Sequence, residues 1–171
     1  DELREGLSFL AAHRAALYAI MESAPQIPCH LDFWPNNVFV DDDAVIPIDW
    51  AFFGAGTYGE DIGNFIPDSV FDGFVPVEEI GDVERVMWAA YRAGLESDGA
   101  LDYPLVQYKY ASAVKYVWLG PLLLARASRV KQEAYGGDVL SDEAAHLQYR
   151  VRGETLLYLC HCCLLYTSPS P

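Results

Sequence analysis

The chain has 171 residues, 52% hydrophobic and 21% charged, a composition that argues against a disordered, collagen-like or membrane-embedded protein. Its net charge of -14 is uneven: residues 1–104 hold 4 basic and 20 acidic side chains, whereas residues 105–171 hold 7 and 5. Such an acidic surface repels phosphate backbones and anionic lipid, so no nucleic-acid partner and no membrane contact is expected, while cationic ligands and metal–nucleotide complexes stay open beside plain solubility.

A chain of this length buries roughly 70% of its unfolded surface and needs neither metal nor disulfide to fold. Cys29 stands alone and Cys160, Cys162 and Cys163 crowd one end, unlike a secreted disulfide framework, so a reducing, cytoplasmic setting is expected. The longest apolar stretches, 116–125 and 156–166, fall short of the ~18 residues of a membrane span. The opening residues carry no targeting signal and read as the inside of a helix.

In chain order, Leu3, Leu7, Leu10, Leu17 and Met21 recur at helical spacing, and Pro25 and Pro28 close that first helix. Two β-rich runs, 37–40 and 45–49, flank Asp41-Asp42-Asp43 and predict a hairpin with a polar, solvated turn. Three glycines in 51–59 predict a bent loop rather than a regular element. Helical spacing resumes over Glu60–Phe71 and again over 77–97. Residues 103–132 predict a long helix kinked by Pro121, and Ser141 suits the N-cap of a last helix ending near Cys160. The expectation is one domain over 1–160, mostly helical with a small hairpin. Residues 161–171 read as a foreign or disordered tail; a metal site on Cys160, His161, Cys162 and Cys163 lacks the second ligand pair of a structural zinc centre.

The chemistry-bearing segment is His30-Leu31-Asp32-Phe33-Trp34-Pro35-Asn36-Asn37, followed by the apolar run Val45-Ile46-Pro47-Ile48 ending in Asp49. From 4 His, 14 Asp and 3 Asn, roughly 0.006 matches to H-x-D-x-x-x-x-N arise by chance. The three polar groups suit phosphoryl transfer. A carboxylate orients an acceptor hydroxyl and takes its proton, while an amide oxygen and a second carboxylate hold magnesium against nucleotide phosphates.

These residues resemble the catalytic and metal-binding loops of the aminoglycoside phosphotransferase family, relatives of the protein kinases. The resemblance implies that Asp32 is the catalytic base, that Asn37 and Asp49 are magnesium ligands, and that His30 is a structural member of the loop. The run Gly59-Glu60-Asp61-Ile62-Gly63-Asn64 is similar to a downstream family segment whose Asp braces the catalytic loop, which gives Asp61 that role. The likeness is specific over 29–66 and general beyond. Leu31 stands where the family usually has Gly, and no Gly-rich strand pair or strand Lys precedes the first helix.

The implied fold is therefore α+β, mostly α: a protein-kinase-like C-terminal lobe with the N-terminal lobe absent, inactive alone. The implied cofactors are Mg2+ and ATP or another nucleoside triphosphate. The implied partners are a small-molecule hydroxyl acceptor, which the acidic half suits if cationic, and the missing lobe. Choline, homoserine and fructosamine-type acceptors share the constellation, and a non-catalytic kinase-like binding module is the alternative. Trp34 and Trp50 fit a substrate cleft or simple packing; Asp68, Asp72 and Glu96 fit an amino-group pocket or a solvated helix face.

Overall fold

The computed structural model describes residues 1–42, 44–97, 115, 116, 120, 122 and 139–167. Helix α1, Glu2–Ser23, carries Glu2 and Glu5 in its first turn, where carboxylates suit the positive end of the helix. It ends because Ala24 precedes Pro25 and is driven into an extended conformation, φ -75° and ψ 151°.

Strand β1, Gln26–Cys29, follows directly and pairs antiparallel with β4, Gly54–Thr57, placing Cys29 opposite Gly54 and Ile27 opposite Gly56. This ribbon corrects the expectation of an irregular loop over 51–59. A Cβ at Gly56 would lie 2.8 Å from the Cys29 sulfur, so the glycine is there for close approach rather than for a bend. Between these strands stands the expected hairpin, β2 (Val38–Asp41) against β3 (Ala44–Pro47), in register Val38 with Pro47 through Asp41 with Ala44. Asp43, in its turn, lies outside the described residues.

Helix α2, Glu60–Phe71, is the central element, with nine of its twelve residues buried. Helix α3, Ile80–Ser97, packs along it through Ile62, Ile66, Val70 and Ile80. Helix α4, Asp142–Thr167, lies against α1 and α2. It starts at Ser141, whose hydroxyl accepts the Ala144 N–H at 3.2 Å, and it continues through Thr167 without a break at Cys160. Leu7, Leu10, Leu17, Phe71, Leu156 and Leu159 form the second core cluster. A Cβ on Gly6 would come within 2.7 Å of Cys160, so α1 and α4 touch backbone to side chain there.

The helix predicted over 103–132, with its kink at Pro121, lies outside the described residues except at Lys115, Tyr116, Gly120 and Leu122, which are helical. The observed architecture is mostly helical with two small antiparallel ribbons. Among the described residues no helix is long and apolar enough to cross a membrane.

Candidate active site

The site is built on the segment between β1 and β2. His30 leaves β1 buried, Leu31 turns the chain at φ 64°, and Trp34 is extended because Pro35 follows it. Pro35 then opens a tight turn, Pro35–Asn37, closed by the Asn37 N–H on the Trp34 carbonyl at 2.9 Å. That turn brings Asn37 back onto Asp32. The Asn37 amide donates to the Asp32 backbone carbonyl and to its carboxylate Oδ2, each at 2.9 Å. Both partners are pure acceptors, so Nδ2 is the atom facing Asp32 and the Asn37 Oδ1 is the atom left to accept or ligate. Asp32 is half-buried and Asn37 buried.

Asp49 reaches the same region through the hairpin. The Ile48 N–H donates to the Asn37 carbonyl at 2.9 Å, extending the β2–β3 ladder by one step, and Asp49 follows immediately. Its backbone is left-handed, φ 57° and ψ 64°, and the residue is exposed. Non-glycine residues at positive φ are uncommon and concentrate where surrounding structure over-determines them. Two of the three such residues described here, Leu31 and Asp49, sit in these loops; the third is Asp42 in the hairpin turn.

His30 ties the two loops together. Its Nε2 lies 2.8 Å from the Ile48 carbonyl, which can only accept, so Nε2 carries the proton. The other nitrogen, Nδ1, accepts the Asp32 N–H at 3.3 Å. With both nitrogens committed and 2% exposure, the imidazole is a strut rather than a free base. Its ring packs against Trp50 at 4.6 Å and Phe33 at 5.9 Å.

Asp61, in the first turn of α2, spans the backbone on the other side. Its Oδ2 accepts the His30 N–H and its Oδ1 the Leu31 N–H, both at 2.9 Å. The loop is thereby fastened to the central helix by two charge-assisted bonds. Phe33 packs on Phe65 of α2 at 5.2 Å, and Trp34 on Phe74 at 6.3 Å. Trp34 is half-buried in that packing, whereas Trp50 is exposed and donates its indole N–H to the Pro47 carbonyl.

The surroundings are strongly desolvated on the α2 side. Burial, followed by the charges of Asp61 and Glu60, pushes the Cys29 thiol up to about 12. Burial likewise raises Asp68, against the opposing charge of Lys115. Asp68 is not on a solvated face: it is buried, and Lys115 and Tyr116 both donate to its carboxylate. Asp72 pairs with Arg152 at 3.0 Å, and that guanidinium also donates to the Phe71 carbonyl at the end of α2. Both carboxylates are therefore bound by the protein's own cations. The Glu96 side chain lies outside the described positions. Sequence reasoning missed these pairings because the partners lie 47 to 81 residues away.

The donor set fits magnesium of a metal–nucleotide complex. Among the described residues no three His, Cys, Asp or Glu side chains form a metal cage. Magnesium at such sites takes only one or two carboxylates and fills its shell with water and phosphate oxygens. An exposed carboxylate at Asp49 and an amide oxygen at Asn37, whose nitrogen is already spoken for, suit that scheme.

The family model described as the APH phosphotransferase enzyme family matches residues 1–96, a span that contains every residue of this site. Neither the curated proteins nor the solved structures give a match to the chain.

Proposed function

The chain belongs to the APH phosphotransferase enzyme family, and on that premise we propose that it moves the γ-phosphoryl group of ATP, or of another nucleoside triphosphate, to a hydroxyl of a small molecule. The observation carrying this reading is the Asn37–Asp32 contact. One carboxylate oxygen of Asp32 is held by the amide at 2.9 Å, which leaves Oδ1 for the acceptor. Asp32 orients the acceptor hydroxyl and takes its proton; the acceptor oxygen bonds to the γ-phosphorus as the bond to the nucleoside diphosphate breaks. Asn37 and Asp49 would hold magnesium, which when bound neutralises charge on the phosphates. His30 and Asp61 are positioning residues: they act through the backbone of the loop.

In this reading residues 1–160 form a kinase-like C-terminal lobe, and α4 carries the chain on from it to Thr167. The hairpin supports a second lobe above it. Its cross-strand pairs Phe39–Ile46 and Val40–Val45 are exposed on both faces, with Val40 at 74%. Apolar surface of that kind marks a docking face, and a nucleotide-clamping N-terminal lobe would cover it. The chain alone would then be inactive. The acidic balance of residues 1–104 favours a cationic acceptor, and the free, buried thiols of Cys29 and Cys160 suit a reducing cytoplasm.

The test is calorimetric titration of ATP into the protein joined to its clamping lobe, with and without magnesium. Asp49→Ala and Asn37→Ala should each lower magnesium-dependent affinity by about tenfold, or about 1.4 kcal/mol. Binding that ignores magnesium, or ignores both substitutions, would contradict the assignment.

A further inference from the structure

None of His30, Asp32, Asn37, Asp49 or Asp61 lies on α3, yet one side chain of that helix grips the turn from which α2 starts. The Gly59 N–H donates to the Tyr91 hydroxyl at 2.8 Å, a contact between residues 32 apart in the chain. Gly59 is the residue before α2, at φ 82° and ψ -1°, and it has no side chain with which to cap the helix. Its carbonyl accepts the first helical bond, from the Gly63 N–H at 2.8 Å. One residue thus has its carbonyl fixed by α2 and its N–H fixed by α3. The step before it is held locally, by the Glu60 carboxylate on the Thr57 N–H at 2.8 Å.

What this turn carries is Asp61. The residue sits two positions past Gly59, and each oxygen of its carboxylate meets one N–H of the catalytic loop, at His30 and at Leu31, both at 2.9 Å. A helix turns by about 100° and rises about 1.5 Å per residue, so a small change of backbone at Gly59 swings both oxygens at once. Such bonds weaken steeply with misalignment. From His30 the linkage continues, since Nδ1 accepts the Asp32 N–H at 3.3 Å. The Tyr91 end is itself held. Its ring is half-buried and, like Val83, packs against the core cluster of Ile62, Ile66, Val70 and Ile80. Burial above all raises the phenol from its ordinary value, so the hydroxyl keeps its proton at neutral pH.

We propose that Tyr91 is a positioning residue for the catalytic loop: its hydroxyl fixes Gly59, hence the carboxylate of Asp61, hence the backbone that carries Asp32. The kinetic consequence rests on the phosphoryl-transfer reading; the linkage itself does not.

The test is Tyr91→Phe, which removes the hydroxyl and keeps the ring. In the 15N-labelled chain the His30 and Leu31 amide resonances should move upfield and their exchange should quicken by at least about fivefold, while Leu156 in α4 stays as in the native chain. Val83→Ala loosens the same helix without removing the Gly59 contact, and should leave the His30 and Leu31 amides in place. In the protein joined to its nucleotide-clamping lobe, Tyr91→Phe should lower kcat by about three- to tenfold with KM for ATP unchanged. It should cost nothing further where Asp61→Asn has already released the loop. Moved amides in a chain whose native form shows no turnover would bear out the linkage and contradict phosphoryl transfer. Unmoved His30 and Leu31 amides in Tyr91→Phe overturn the proposal. So does an equal response in Val83→Ala, an unchanged kcat beside an active native enzyme, or full additivity with Asp61→Asn.

Discussion

Asn37 donates its side-chain amide to two oxygens of Asp32, the backbone carbonyl and the carboxylate, at 2.9 Å each. The contact closes the loop on itself and decides which carboxylate oxygen stays available. It also makes a sharp substitution possible. Asn37→Asp keeps the shape but sets carboxylate against carboxylate, with no donor between them. Stability at neutral pH should fall by about 1–3 kcal/mol, and part of the loss should return in acid, where one of the pair takes a proton. Urea unfolding at two pH values measures both effects; equal losses at both would mean the two side chains are not in contact.

Asp61 holds His30 and Leu31 by one oxygen each. In Asp61→Asn one oxygen becomes an NH2 group facing an N–H donor, so one backbone group of the loop loses its acceptor. A loss of about 1–3 kcal/mol is expected in thermal or urea unfolding. Amide exchange at His30 and Leu31 should accelerate more than exchange in α3. Unchanged protection at both positions would show that Asp61 does not brace the loop.

Much of this architecture was legible from local signals. The period of apolar residues placed α2 at Glu60–Phe71, and Pro25 and Ser141 marked a helix end and a helix start. The residues His30, Asp32, Asn37, Asp49 and Asp61 could be singled out because the loop chemistry lies in short spacings. The β1–β4 ribbon could not. Its strands carry Pro28, Gly54 and Gly56, residues that locally argue against a strand, and only the pairing of Gly56 with Ile27, beside Cys29, explains Gly56. Asp68 was illegible for the same reason. A carboxylate on a helix reads as solvated until Lys115 and Tyr116 are folded against it.

Leu31 sits at φ 64°, where a side chain is strained and a β-branched one more so. Leu31→Gly relieves the backbone but gives up a half-buried side chain, so the change in stability should stay within about 1 kcal/mol. Leu31→Val should instead cost about 1–2 kcal/mol beyond any loss of contact area. Denaturant melts of the two variants give the comparison; Val tolerated as well as Gly would mean that the backbone is not held at positive φ.

Cys29 supplies a pH signature. Burial, then the charges of Asp61 and Glu60, hold its thiol at about 12 in the folded chain against 9.0 ordinarily. The folded value is raised, so the group's contribution is complete below pH 9 and is lost as pH climbs through about 12. The urea midpoint should therefore decline over that window, and Cys29→Ala should flatten the decline. An identical slope in the variant would show that the thiol ionises as easily folded as unfolded.

The central claim is that Asp32 receives the proton of an acceptor hydroxyl during phosphoryl transfer. The direct measurement is turnover of labelled ATP into a phosphorylated hydroxyl acceptor by the protein joined to its nucleotide-clamping lobe, native against Asp32→Ala. Turnover should fall by about a hundredfold to ten-thousandfold while ATP affinity changes little. Turnover retained at the native rate in Asp32→Ala would contradict the account.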